Sequence, residues 1–223
     1  GPSLIKITII YSETFSRCAS TILCGGVFLN YKDYQNARDA VWNLLIAVEA
    51  DELPIKVTQI CHALGIQTRL YAPKDENDGM CLILDGQPVI FVSTEVSIAR
   101  QRFTAAHELG HILLGHVGHS GLLNREPKPS DNPIEQAANV FASRLLAPAC
   151  VLWGCGVGSA DEIAQLCNIS QAAAEFRWAR MQVLYQRGAF LSSTLERQVY
   201  RQFRPYIDRH RIRRSPAAPG AGQ

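Results

Sequence analysis

Two histidines four residues apart, with a glutamate beside the first, constrain this chain more than any other stretch. Residues 102–111 read Arg102-Phe103-Thr104-Ala105-Ala106-His107-Glu108-Leu109-Gly110-His111. The apolar run continues through Ile112, Leu113 and Leu114, so a helix is expected here. On a helix, residues four apart stand one above the other on the same face. His107 and His111 can therefore offer two ring nitrogens to one metal ion. Glu108, beside the first of them, can reach a water at the metal without ligating the metal itself. Zinc hydrolysis needs that division of labour: an open tetrahedral site, a water acidified by the ion, and a base for its proton. One zinc ion per chain is expected.

A third ligand is available downstream. Residues 132–148 run from Asn132-Pro133-Ile134-Glu135 to Leu146-Ala147-Pro148. Asn132 or Asp131 suits an N-cap, Pro133 suits the first helical turn, and Pro148 closes the segment. Ile134, Ala138, Phe141, Ala142 and Leu145 form the apolar stripe, and Glu135 and Asn139 share a neighbouring face. Glu135 would complete a two-histidine, one-glutamate site that leaves the fourth position to water. Asn139 would then hydrogen-bond a ligating histidine and hold its orientation. The alternative pattern with a third histidine fails, because its glycine position is Leu114 and its histidine position is Val117. His116 and His119 fall off that register and read as ordinary helix-end and loop histidines.

The segments QRFTAAHELGHILLGH and IEQAANVFASRLLAP together resemble the ImmA/IrrE family of bacterial metallo-endopeptidases, over roughly residues 35 to 187. The resemblance implies a gluzincin-like site with His107, His111 and Glu135 as ligands and Glu108 as general base. It also implies a helix-turn-helix repressor as the protein substrate. Ala147-Pro148 stands where the family often has Met-Pro, a change that touches packing more than chemistry.

With 223 residues, 47% of them hydrophobic and 19% charged, the chain can bury a sizeable core. Seven scattered cysteines, an odd number without knuckle spacing, point to free thiols and a reducing compartment rather than a disulfide framework. Gly1-Pro2-Ser3 reads as a scar of tag removal. Leu4 to Tyr11 alternates like a strand, and no basic region or membrane-length apolar run marks a leader or span. A cytoplasmic protein without a membrane partner is the expectation.

Asp33 can cap a helix through about Glu49, with Ala37, Ala40, Val41, Leu44, Leu45 and Val48 on its inner face. A second helix, about Val57 to Leu64, should stop at Gly65. Three β candidates follow: Thr68 to Ala72, then Met80 to Asp85 and Val89 to Ser93, the last two flanking a turn at Asp85-Gly86. One of these strands is expected to receive substrate backbone by strand addition. The Gly-, Ser- and Pro-rich stretch 117–132 reads as the connector between the two ligand helices.

Beyond a hinge at 154–158, Ser159 caps a short helix, Asn168-Ile169-Ser170 turns the chain, and a longer helix runs from Gln171 to about Gln186. That is the rhythm of a helix-turn-helix. Arg177 and Arg180 on the second helix could meet DNA, although packing under the metal domain or docking of the repressor substrate is the favoured reading. From Glu175 to Arg214 there are ten arginines against three carboxylates. Tyr200, Phe203, Tyr206 and Ile207 interleave at helical spacing, so part of this basic stretch is an amphipathic helix.

The fold class expected is α+β: a helix-rich zincin-like domain with a small, mostly antiparallel sheet, followed by a helix-turn-helix-like hairpin. The divisions fall at 1–32 (an N-terminal extension), 33–156 (the metallopeptidase domain), 157–214 (hairpin and basic helix) and 215–223 (a disordered tail). The function expected is that of a zinc-dependent endopeptidase that cuts a helix-turn-helix repressor and relieves repression. The alternative is a zinc-containing regulatory module that binds DNA or sequesters a regulator without proteolysis.

Overall fold

A computed structural model describes residues 31–72, 78–116 and 132–212. The strand expected at 4–11, nearly all of the 117–132 connector and the 215–223 tail lie outside the described residues. Helix α1 (Tyr31–Ala47) begins two residues before Asp33, which therefore lies within the helix rather than capping it. Its inner face is the expected one: Ala37, Val41, Leu44 and Leu45 are buried, and Trp42 joins them. Helix α2 (Val57–Ala63) follows the Leu53-Pro54 break and ends at Gly65, whose φ of +73° is the left-handed turn a side chain disfavours.

The sheet has three strands, β1 (Gln67–Tyr71), β2 (Gly79–Leu84) and β3 (Gln87–Ser93), with β3 in the centre. Asp85 and Gly86, at φ +50° and +77°, form a tight two-residue turn with the twist that joins antiparallel strands, as expected between β2 and β3. The other pairing, β1 with β3, is parallel. The sheet expected to be mostly antiparallel is thus mixed, with β2 as its antiparallel edge. A parallel neighbour needs a crossover, and the β2 hairpin arm supplies the intervening chain between β1 and β3.

Helix α3 (Ile98–Leu113) carries the two histidines and lies against β2 and β3. Ser97 caps it by accepting from the Arg100 N–H. Helix α4 (Pro133–Leu146) has Asn132 as N-cap, its side chain accepting from Ile134 N–H at 2.9 Å, and Pro133 in the first turn. Both features of that helix start are the ones its sequence announces. Helices α3 and α4 pack more extensively than any other pair of described elements. The stretch Pro133–Gly154 is long and apolar enough to cross a membrane, but it is 78% buried inside the fold, as a core helix is.

Gly110 is what lets α3 and α4 come together. A Cβ built there would meet the ring of Phe141, a fully buried residue of α4, at 3.0–3.2 Å. Gly110→Val is expected to cost about 1–3 kcal/mol of stability by overpacking that contact. It should also weaken metal binding, because it separates the helices that share the site. Denaturant midpoints and zinc titration check this; a variant matching the parent in both would show that the approach is not needed.

The remaining helices are α5 (Ala149–Gly154), α6 (Ala160–Cys167), α7 (Gln171–Gln186), α8 (Thr194–Gln202) and α9 (Arg204–His210). Ser159 and Ser170 cap α6 and α7, and Asn168 takes the left-handed conformation in the turn between them. The helix-turn-helix rhythm is present, and it is docked. Arg102 of α3 donates to the Ile55 carbonyl at 3.0 Å, to the Cys167 carbonyl at 2.8 Å, and to the Asn168 carbonyl. Arg177 of α7 is buried, and its Nε donates to the Ala147 carbonyl at 2.8 Å. Ile163, Cys167, Ala174 and Met181 enter the same hydrophobic cluster as Leu109 and Phe141.

The basic stretch is amphipathic as expected, though as two helices: Phe203, Tyr206 and Ile207 are buried while Arg201, Arg204 and Arg209 face outward. Gln202 ties it to the end of α1 by donating to the carbonyls of Leu45 and Ala50. Five cysteines, Cys61, Cys81, Cys150, Cys155 and Cys167, are buried free thiols. Burial pushes the Cys61 thiol up to about 12, as it does for Cys167, which makes both inert near neutral pH.

Candidate metal centre

Helical spacing brings His107 and His111 to one face of α3, and their Nε2 atoms lie 2.9 Å apart. From α4, one turn in, Glu135 reaches both. Its Oε2 is 3.1 Å from His107 Nε2, and its Oε1 is 3.4 Å from His111 Nε2. The two Nε2 atoms are thus 2.9 Å apart, and each has a different oxygen of Glu135 within 3.4 Å. In a tetrahedral zinc site with bonds of 2.0–2.1 Å, neighbouring donors stand roughly 3.3 Å apart. The residue set and its spacing therefore fit a zinc ion.

The hydrogen bonding fits as well. Asn139, one turn beyond Glu135, places its Oδ1 2.9 Å from His107 Nδ1, which donates to it. That bond holds the proton on Nδ1 and leaves Nε2 as a lone pair facing a carboxylate. Two acceptors so close repel each other unless a cation joins them. With a proton on those ring nitrogens in place of an ion, hydrogen bonds from His107 and then His111 hold the Glu135 carboxyl well below the usual carboxylate range. It is therefore an anion at neutral pH.

Burial is graded around the cluster. The His111 side chain is fully buried, while those of His107 and Glu135 keep 13% and 16% of their exposure. The open side of the cluster is thus at His107 and Glu135. Glu108 is buried, and its charge helps burial raise the Cys81 thiol on β2 to about 12. Next to the centre, an apolar cavity of about 680 Å³ opens between α3, α4 and the start of α7, with Phe103, Asn139, Leu146 and Phe176 in its wall. Phe103 and Asn139 of its wall are also neighbours of His107, the first at 6.4 Å between ring centroids and the second by its hydrogen bond.

Of the residues read from the sequence, His107, His111 and Glu135 lie together, and Asn139 meets His107. One neighbour escapes a reading of the sequence. His116, which reads there as a helix-end histidine, has its Nδ1 3.1 Å from His111 Nδ1. Burial, and then the proximity of His111, lower its pKa to about 4, so it is a neutral ring. The signal that could reveal it is Gly115: a glycine just past a helix reverses the chain and folds the next residue back over the last turn. His119 lies outside the described residues.

Among protein families, residues 61–179 match a peptidase family described as the IrrE N-terminal-like domain. No curated protein matches the chain. The matched span is more than half of the 223 residues and includes both helices of the centre.

Proposed function

The chain belongs to the ImmA/IrrE family of metallopeptidases, and from that premise we propose that it is a zinc-dependent endopeptidase whose ion is held by His107, His111 and Glu135. The observation that carries this reading is the cluster of ligand atoms from two helices, with the two Nε2 atoms 2.9 Å apart and one oxygen of Glu135 facing each at 3.1 and 3.4 Å. A zinc ion bound there supplies Lewis acidity, lowering the pKa of water and polarising the scissile carbonyl. Glu108 takes the proton of the attacking water and passes one to the leaving amine. Asn139 keeps the His107 ring turned toward the centre.

The β2 edge supports the way a substrate would lie. Among the described residues its main chain pairs with β3 on one side only, which leaves the other side to accept an extended peptide by strand addition. The substrate we propose is a helix-turn-helix repressor cut once, so that repression is relieved; this rests on the family alone. The test is incubation of the zinc-loaded protein with helix-turn-helix repressors, followed by mass spectrometry of the products. One new terminus in a repressor, abolished by a chelator, is the expected result. Intact repressors beside hydrolysis of other peptides would overturn the substrate and leave the peptidase.

A further inference from the structure

We propose that His116 is a positioning residue for the metal centre: its Nδ1 accepts the Nδ1–H of His111 and so turns the Nε2 lone pair of His111 onto the ion. This rests on the reading of His107, His111 and Glu135 as metal ligands.

Gly115, just past the end of α3, has φ +74°. Its N–H donates to the Ile112 carbonyl at 3.1 Å, and the His116 N–H donates to the His111 carbonyl at 2.8 Å. These two bonds define a helix cap in which the second residue past the C-cap folds back over the last turn. The capping pair here is His116 over His111. An apolar contact usually fills that place.

The same pair of bonds closes four other helices among the described residues. In them the folded-back residue is Ala50 over Leu45, Ile66 over Cys61, Val157 over Leu152, and Ala189 over Leu184. Ile66 and Val157 are each 2% exposed, as a cap contact should be. Of these five caps, only the one at the end of α3 puts a polar ring in that place. The residue beneath it is a ligand.

His111 needs such a partner. It is fully buried, so water cannot reach its Nδ1, and a buried N–H left without an acceptor is destabilising. When Nε2 faces an ion, the proton of the neutral ring sits on Nδ1. Asn139 meets that requirement for His107, and His116 meets it for His111. His116 is not itself a ligand in this arrangement, because it meets the edge of the ring opposite Nε2.

The experiment compares zinc dissociation constants, by competition with a chromophoric chelator, in wild type, His116→Phe and His116→Asn. Phenylalanine keeps a ring over His111, as the apolar caps do, but offers no acceptor. Asparagine can place an amide oxygen close to where Nδ1 stood. The expected result is zinc binding weakened about 10- to 100-fold in His116→Phe and largely restored in His116→Asn. Wild-type affinity in His116→Phe, or equal weakening in both variants, overturns the proposal in favour of packing. Should the variants fail to fold, nitrogen-15 histidine spectra of the zinc-loaded wild type decide. A slowly exchanging His111 Nδ1–H correlated with His116 is expected, and its absence overturns the proposal. A wild type that binds no zinc overturns the ligand assignment, and the inference falls with it.

Discussion

Glu108→Gln is expected to bind zinc as the wild type does and to cleave its substrate about 10²- to 10⁴-fold more slowly, the range a positioned general base contributes. Glutamine has nearly the shape of glutamate, so the buried position on α3 stays filled. The amide, however, cannot take a proton from water. The two histidines and Glu135 are untouched, which separates the chemical step from the binding of the ion. The decisive pair of measurements is zinc stoichiometry and single-turnover cleavage of the same sample. A variant that cuts within a few-fold of the wild-type rate would remove Glu108 from the mechanism and require another base.

The other large effect is expected from Glu135→Ala. The carboxylate spans both histidines, with one oxygen toward each Nε2. Structural zinc sites with four protein ligands bind with roughly 10–16 kcal/mol, or about 2.5–4 kcal/mol per ligand, so one lost ligand corresponds to about 10²- to 10³-fold weaker binding. The fold should survive, since Glu135 contributes to the site and to the first turn of α4 rather than to the core. Cleavage should disappear together with the ion and return in part at high zinc. Elemental analysis after dialysis, with a thermal melt as the control for folding, tests this directly. Full zinc occupancy in Glu135→Ala would show that the third ligand is some other group.

Much of the centre is legible in the sequence because its parts are local. HELGH spans little more than one helical turn, and four-residue spacing alone places two imidazoles together. Asn132-Pro133 announces the start of α4, so helical periodicity alone puts Glu135 and Asn139 on adjacent turns. The turn at Asp85-Gly86, the stop at Gly65 and the caps Ser159 and Ser170 are equally short-range signals, and each is found where its residues stand. The expectations that fail involve non-local pairing. The parallel partner of β3 cannot be inferred from β1 itself, since nothing in Gln67–Tyr71 specifies the direction of its neighbour. The place of His116 depends on a chain reversal followed by a contact, and the histidine spacing alone does not show that.

The sequence by itself determined which residues could bind an ion, which carboxylate could serve as base, and the family to which the chemistry belongs. The first two follow from helical periodicity and capping, which act over a few residues, and the family from the resemblance of the two segments that carry them. The tertiary structure decided that Glu135 meets both histidines, because only the close packing of α3 on α4, permitted at Gly110, brings donors 28 and 24 residues apart to within 3.4 Å. It also decided the fate of the hairpin and its arginines. In the sequence Arg102 and Arg177 are simply two cations. In the fold their donors satisfy the carbonyls of Ile55, Cys167 and Ala147, which burial has cut off from water.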